Sequence, residues 1–246
     1  MKTIGHHFMA LKWTFNRFFQ GKFLLFLIPG FLFALIFWQI FDWSHSLHGG
    51  QENYSSFDWL NNTLNTTVEY SLSFFEFLLN QVYVFFVLTL LSPVNTYLSE
   101  KVDEELTGQT VGFDILRFVN ELLRMILIVI IALSLEFLLM GVWWIFSWVF
   151  SLEETNTFVF FLITAFFYGF AFYDYSLERY EISVGGSLRF AKKFFLPVLV
   201  SGIIFSLLIL IPVFGLAFAP VIATIYTTYV FLKANGKLDK QSTINE

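Results

Sequence analysis

Hydrophobic positions along this chain fall into long blocks. Phe23 to Phe41 carries no charge, and a helix of about 20 residues, rising about 1.5 Å per residue, crosses the roughly 30 Å hydrocarbon core of a bilayer. Tyr70 to Leu91, closed by Ser92-Pro93, forms a second block. Met125 to Phe150 is a third and Phe158 to Phe172 a shorter fourth, separated by the polar stretch Ser151 to Thr157. A fifth runs from Phe194 to Leu232 and is interrupted by Pro212 and Pro220. The pattern predicts an all-α, polytopic integral membrane protein. The first block is too long for a signal-peptide core and no small-residue cleavage site follows it, so it is expected to remain.

The flanks of these blocks carry shorter patterns. Phe8, Leu11, Phe15 and Phe19 recur at helical spacing beside Lys12, Asn16 and Gln20, which predicts an amphipathic helix lying in the membrane interface. Beyond the second block, Val94, Leu98, Val102 and Leu106 form a four-residue stripe ending at Thr107-Gly108. The second helix is therefore expected to continue out of the membrane and to stop at a glycine cap. The domain organisation expected is an interfacial helix over 1–22, one membrane domain over 23–233 and a disordered tail over 234–246.

Orientation follows from the cations, because Lys and Arg near span ends stay on the cytoplasmic side. All 14 Lys and Arg lie before the first block, between the second and third, after the fourth, or after the fifth. The alternate loops, Ser44 to Glu69 and Ser151 to Thr157, have none and carry Glu52, Asp58, Glu69, Glu153 and Glu154. Both termini are thus expected in the cytoplasm, the membrane being a plasma (inner) membrane. Trp38, Trp43, Trp143, Trp144 and Trp148 sit toward the outer ends of the first and third blocks, as an aromatic belt requires.

The fifth block ends at cytoplasmic lysines on both sides, so it must double back. Its turn region, Pro212 to Pro220 around Gly215, holds no charged side chain. Irregular backbone at membrane depth persists only where protein or a wet cavity covers it. The pattern predicts a membrane-embedded re-entrant hairpin with a buried tip; two ordinary spans joined by a short apolar turn is the other reading.

Composition narrows the chemistry. Charged residues are 13% of the chain and hydrophobic ones 57%, against about a quarter charged in soluble domains. The absence of cysteine removes disulfides, thiolate metal sites and a Cys nucleophile. No nucleic-acid footprint accompanies a net charge of -5. His6-His7 and His45 with His48 are too sparse for a metal site. No cofactor is expected, and no serine-hydrolase, metalloprotease or phosphate-loop pattern occurs, so an enzyme is not expected.

Several stretches resemble one family. Val94 to Gly108 after the second block resembles the corresponding segment of the CysZ sulfate-permease family. Tyr173-Asp174-Tyr175-Ser176-Leu177-Glu178-Arg179-Tyr180 is similar to its Asp-Tyr-Pro-type motif, and Ile211 to Thr224 to its Pro-bounded final hairpin. Etoposide-induced membrane proteins share this broader domain. The resemblance implies long spanning helices, two of them, plus two membrane-penetrating hairpins, a homo-oligomer, and movement of a small anion. The third and fourth blocks depart from it, since Met125 to Phe150 is long enough to cross and holds no proline. The family's sulfate site, a Gly-Leu-Arg motif at the start of its first long helix, is also absent. Here Arg17, Gly21 and Lys22 offer similar chemistry without the motif, as a candidate anion mouth.

Two sets of polar residues lie inside the blocks. Ser73, Glu76, Asn80 and Tyr83 share one face of the second helix; they line a pathway or bind helices together. Glu136, mid-way along the third block, is a structural donor or part of a relay. At the cytoplasmic rim, Arg117, Glu121 and Arg124 precede the third block, and Asp174, Tyr175, Glu178, Arg179 and Arg189 follow the fourth. They pair as solvated rim charges or form an anion vestibule. Two functions follow: a transporter or channel for a small anion, or a non-transporting membrane scaffold or adaptor.

Overall fold

A computed structural model describes residues 2–47, 58–108, 115–211, 215–236 and 238, with 2–4, 37, 38, 40–47, 58–81, 115–118 and 216 described by backbone alone. Among the described residues eight α-helices follow in order: α1 Lys2–Phe19, α2 Leu27–Leu47, α3 Asp58–Thr107, α4 Ile115–Val149, α5 Asn156–Arg179, α6 Val184–Lys193, α7 Phe195–Ile209 and α8 Gly215–Ala234. No strand occurs among the described residues. Four of the helices are long and apolar enough to cross a bilayer, and α1–α2 and α6–α7 are each bent by more than 90° at a short break, 91° and 94°. The protein is an integral membrane protein of helical, polytopic architecture.

α3 is one helix of 50 residues, about 75 Å at 1.5 Å per residue. Ser92-Pro93, expected to close the second block, does not: the helix runs through Pro93, forgoing one backbone bond. It ends where the stripe does, at Gly108, whose φ of 69° opens the left-handed cap and whose N–H donates to Glu104 O at 2.8 Å. At its other end α3 begins at Asp58, so part of the expected outer loop is helical. α4 and α5 are unbroken at 35 and 24 residues, each long enough to cross.

The final block folds back as α7 and α8. α7 has 15 residues, about 22 Å, shorter than the hydrocarbon core. The expected irregular tip is smaller than predicted, because Gly215 to Pro220 form the first turns of α8. Pro220 is buried within that helix, and Pro212 lies outside the described residues. Gly215 is buried where the chain re-enters, its N–H bonded to Ile211 O at 2.8 Å.

α5 and α8 occupy the middle. α5 is buried from Thr164 to Leu177 apart from Phe166, and its backbone touches that of α7. Gly169 faces Val198 and Gly202 faces Ala165 so closely that a Cβ on either glycine would run into a main-chain carbonyl. Small residues four apart permit such a crossing in membranes. α8 packs against α1, α2, α3, α5 and α7, filling the core with Ala219, Ala223, Tyr226 and Val230.

Candidate functional site

The corner between α1 and α2 builds the first candidate. α1 stops at Phe19; Gly21, at φ 81°, turns the chain, its N–H bonded to Phe18 O at 3.0 Å. A residue with a Cβ rarely holds that φ. A single 3-10 turn, Leu24–Phe26, leads into α2. The turn places Arg17 and Lys22 on either side of one acidic residue of α3. Arg17 Nε lies 2.9 Å, and Lys22 Nζ 2.7 Å, from the same Glu105 Oε1. Arg17 also donates to Gln20 Oε1 at 2.9 Å. Arg17 and Lys22, expected at an anion mouth with Gly21, are thus brought together around a carboxylate of the chain itself.

Beside it opens a groove of about 660 Å³, walled by Lys22, Phe23, Leu25 and Phe26 on the corner and by Val94, Tyr97, Lys101, Glu104 and Glu105 on α3. Lys101 Nζ pairs with Glu104 Oε2 at 2.7 Å and stands 5.5 Å from the Tyr97 ring.

The expected rim residues separate into two networks. Arg124 grips Asp174 with two parallel bonds, Nε to Oδ2 at 3.0 Å and Nη2 to Oδ1 at 2.8 Å, the strong bidentate geometry of guanidinium and carboxylate. Its Nη1 donates to Ile182 O at 2.6 Å, and Ser187 Oγ donates to Asp174 Oδ1 at 2.6 Å. Glu178 lies 4.0 Å from Arg124. Thus α4, α5 and α6 are joined through one guanidinium. Ser183 caps α6, accepting from Gly186 N at 3.3 Å, which fixes where Ser187 stands. The helix α6 carries no apolar block, which is why hydropathy passes over it.

Arg179 turns instead to α3, 3.0 Å from Asp103 Oδ2, with Nη1 donating to Glu100 O at 3.2 Å. Tyr180 donates to Asp103 Oδ2 at 2.5 Å, and Thr107 to Oδ1 at 2.7 Å. Burial first, and then the Asp103 carboxylate, push the Tyr180 hydroxyl above its ordinary range, so it stays a donor. Below this cluster the hydroxyls of Ser99, Ser176 and Thr228 meet where α3, α5 and α8 cross, with Thr228 to Ser99 at 2.9 Å.

The remaining candidates are dispersed. Tyr175 is in the core, donating to Leu88 O at 3.1 Å. Glu121 is buried, and among the described residues Arg189 donates to its own helix, at Gly185 O. Glu136 is fully buried and accepts from Thr164 of α5 at 2.7 Å through Oε1; its Oε2 has no hydrogen bond among the described residues. Tyr83 is half-buried. The side chains of Ser73, Glu76, Asn80 and Arg117 lie outside the described residues. No group of His, Asp and Glu among the described residues fits a metal ion.

Sequence reasoning passed over Glu105, Asp103 and Ser187. It also passed over His7 of α1, whose Nδ1 hydrogen-bonds the Tyr226 hydroxyl of α8. The available signal was the run Asp103-Glu104-Glu105 at the end of α3, acidic residues among cations at one end of the bundle.

These features define a polytopic helical membrane protein whose basic end is tied together by carboxylates from α3 and α5. Residues 10–220 match the family described as Sulfate transporter CysZ/Etoposide-induced protein 2.4, and the chain belongs to that family. No curated protein matches the chain.

Proposed function

We propose that the protein moves a small inorganic oxyanion, sulfate-like in charge and shape, across its membrane. Its mouth is at Arg17, Gly21 and Lys22. The observation that carries this reading is the convergence of two cations on the single oxygen Glu105 Oε1. A site that holds one carboxylate oxygen between a guanidinium and an ammonium has the chemistry to hold an oxyanion. Glu105 then acts as a resident anion that the substrate displaces. Membership of a family whose description includes a sulfate transporter supports the same reading. In this proposal α1 lies along the cytoplasmic surface, both termini are cytoplasmic, and the protein works as a homo-oligomer.

The same neutralisation favours a second reading, a membrane scaffold or adaptor that transports nothing. In it Glu105, Asp103 and Asp174 serve only to fasten helices. Flux of sulfate, sulfite and chloride into liposomes holding the purified full chain separates the two. Flux above empty vesicles, inhibited by competing oxyanions, is the expected result. Flux equal to empty vesicles for all three anions overturns the transporter reading and leaves the scaffold.

A further inference from the structure

Five cations of this protein are already satisfied by its own carboxylates. Arg17, Lys22, Lys101, Arg124 and Arg179 each stand 3.0 Å or less from an Asp or Glu oxygen. Arg189, Lys192 and Lys193 of α6 differ: all three are exposed, and none forms an ion pair among the described residues. Arg189 bonds only the Gly185 carbonyl of its own helix among those residues, and Lys193 Nζ stands 5.3 Å from the centre of the Phe194 ring.

Spaced three and four residues apart, the three cations share one face of α6. Arg189 and Lys193 lie about 200° around the helix from Ala191, which is buried with Ser187 on the packed side. The helix then meets α7 at a bend of 94°. Phe195 and Leu196, the first residues of α7, are 49% and 65% exposed. With α7 entering the bilayer, α6 lies along its surface, and its cations stand where the apolar surface begins. The elements packed on α6 are α5 and α7. α7 has no acidic residue, Asp174 and Glu178 of α5 face Arg124, and Glu181 lies in the turn beyond the opposite end of α6.

Retention of a loop in the cytoplasm requires cations near a span, in any alignment. The helix dipole accounts for Lys192 and Lys193 in the last turn of α6, but Arg189 lies a turn earlier and completes the face. We infer that this face of α6 is a docking surface for anionic phospholipids of the adjoining leaflet. Their phosphates accept from Arg189, Lys192 and Lys193, and their acyl chains lie against Phe195 and Leu196. The surface stands whether or not the protein transports an anion.

The test uses the purified full-length protein in mild detergent, titrated with phosphatidylglycerol or phosphatidylcholine of identical acyl chains. Bound lipid is counted by native mass spectrometry. Phosphatidylglycerol should bind tighter by about fivefold or more, the gain from one surface cation, and salt at about 0.5 M should shrink the difference. Replacing the face by Arg189→Gln, Lys192→Gln and Lys193→Gln should bring the two lipids to parity. A matched variant, Lys2→Gln, Lys237→Gln and Lys240→Gln, loses the same charge elsewhere and should keep the preference. Lys193→Gln alone should reduce the preference in part, and it serves if the triple variant fails to accumulate. Equal binding of the two lipids by the unaltered protein would overturn the proposal. Equal loss in both triple variants would show an effect of net charge and overturn it too. Displacement of the lipid by glycerol phosphate would identify a free-phosphate site instead. An α6 variant that keeps the lipid preference but changes the number of subunits would assign the face to a second copy of the chain.

Discussion

Lys22 Nζ sits 2.7 Å from Glu105 Oε1, an oxygen it shares with Arg17. Eighty-three residues separate the partners along the chain. If that oxygen holds the place of a transported anion, Glu105→Gln removes a competitor without changing shape. Initial rates of sulfate uptake into liposomes should rise several-fold and saturate at lower sulfate. Uptake that falls in a variant of normal yield would show that the carboxylate is not competing with the substrate.

Arg124 and Asp174 form a bidentate charge pair, with Asp174 1% exposed. Breaking a buried pair from one side leaves a charge unpaired, at a cost of about 3–5 kcal/mol. Asp174→Leu should therefore lower the thermal unfolding temperature in detergent sharply. Arg124→Met combined with Asp174→Leu should recover much of the loss, because the stranded charge is gone. A double variant as unstable as the sum of the singles would deny the coupling.

His7 is held neutral. Burial first, and then the neighbouring His6, lower its pKa from the ordinary 6.5, and it docks α1 on α8 through Tyr226. A released His7 takes up a proton at higher pH than a docked one, so the stabilisation is complete above about pH 6.5 and declines as pH falls below it. Limited proteolysis after α1 should accelerate between pH 7 and pH 5, and His7→Phe should flatten that dependence. Equal slopes for both proteins would remove His7 from the account.

The hairpin tip needs a probe that does not disturb packing. Gly215 is unsuitable, since any Cβ there meets the Ile209 carbonyl, and Gly215→Asp should fail in a re-entrant hairpin and in an ordinary one alike. Leu210 is 70% exposed at the end of α7, in a chain without cysteine. Leu210→Cys should resist impermeant thiol reagents applied from either side if the tip stays within the bilayer, the outcome expected of a 15-residue α7. Labelling from the side opposite Lys233 would establish two complete spans.

Hydropathy, spacing and the placement of the cations by themselves predicted the helical membrane class, the extension of α3 to Gly108, a helix ahead of the first long block, and the doubling back after Phe194. Each of these is local: a run long enough for a bilayer, a four-residue stripe, a glycine that permits a positive φ. Tertiary structure decided the partners. Glu104 and Glu105 are adjacent in sequence, yet about 100° of helical rotation separates neighbouring side chains. Only the rotation of α3 against the corner sends Glu105 to Arg17 and leaves Glu104 to Lys101. In the same way Arg179 joins Asp103 while Arg124 takes Asp174, although Arg179, Arg124 and Asp174 had looked like interchangeable rim charges and Asp103 had been passed over. The contact of Gly169 with α7 and of Gly202 with α5 depends on the crossing of two helices, a relation that no stretch of either helix encodes alone.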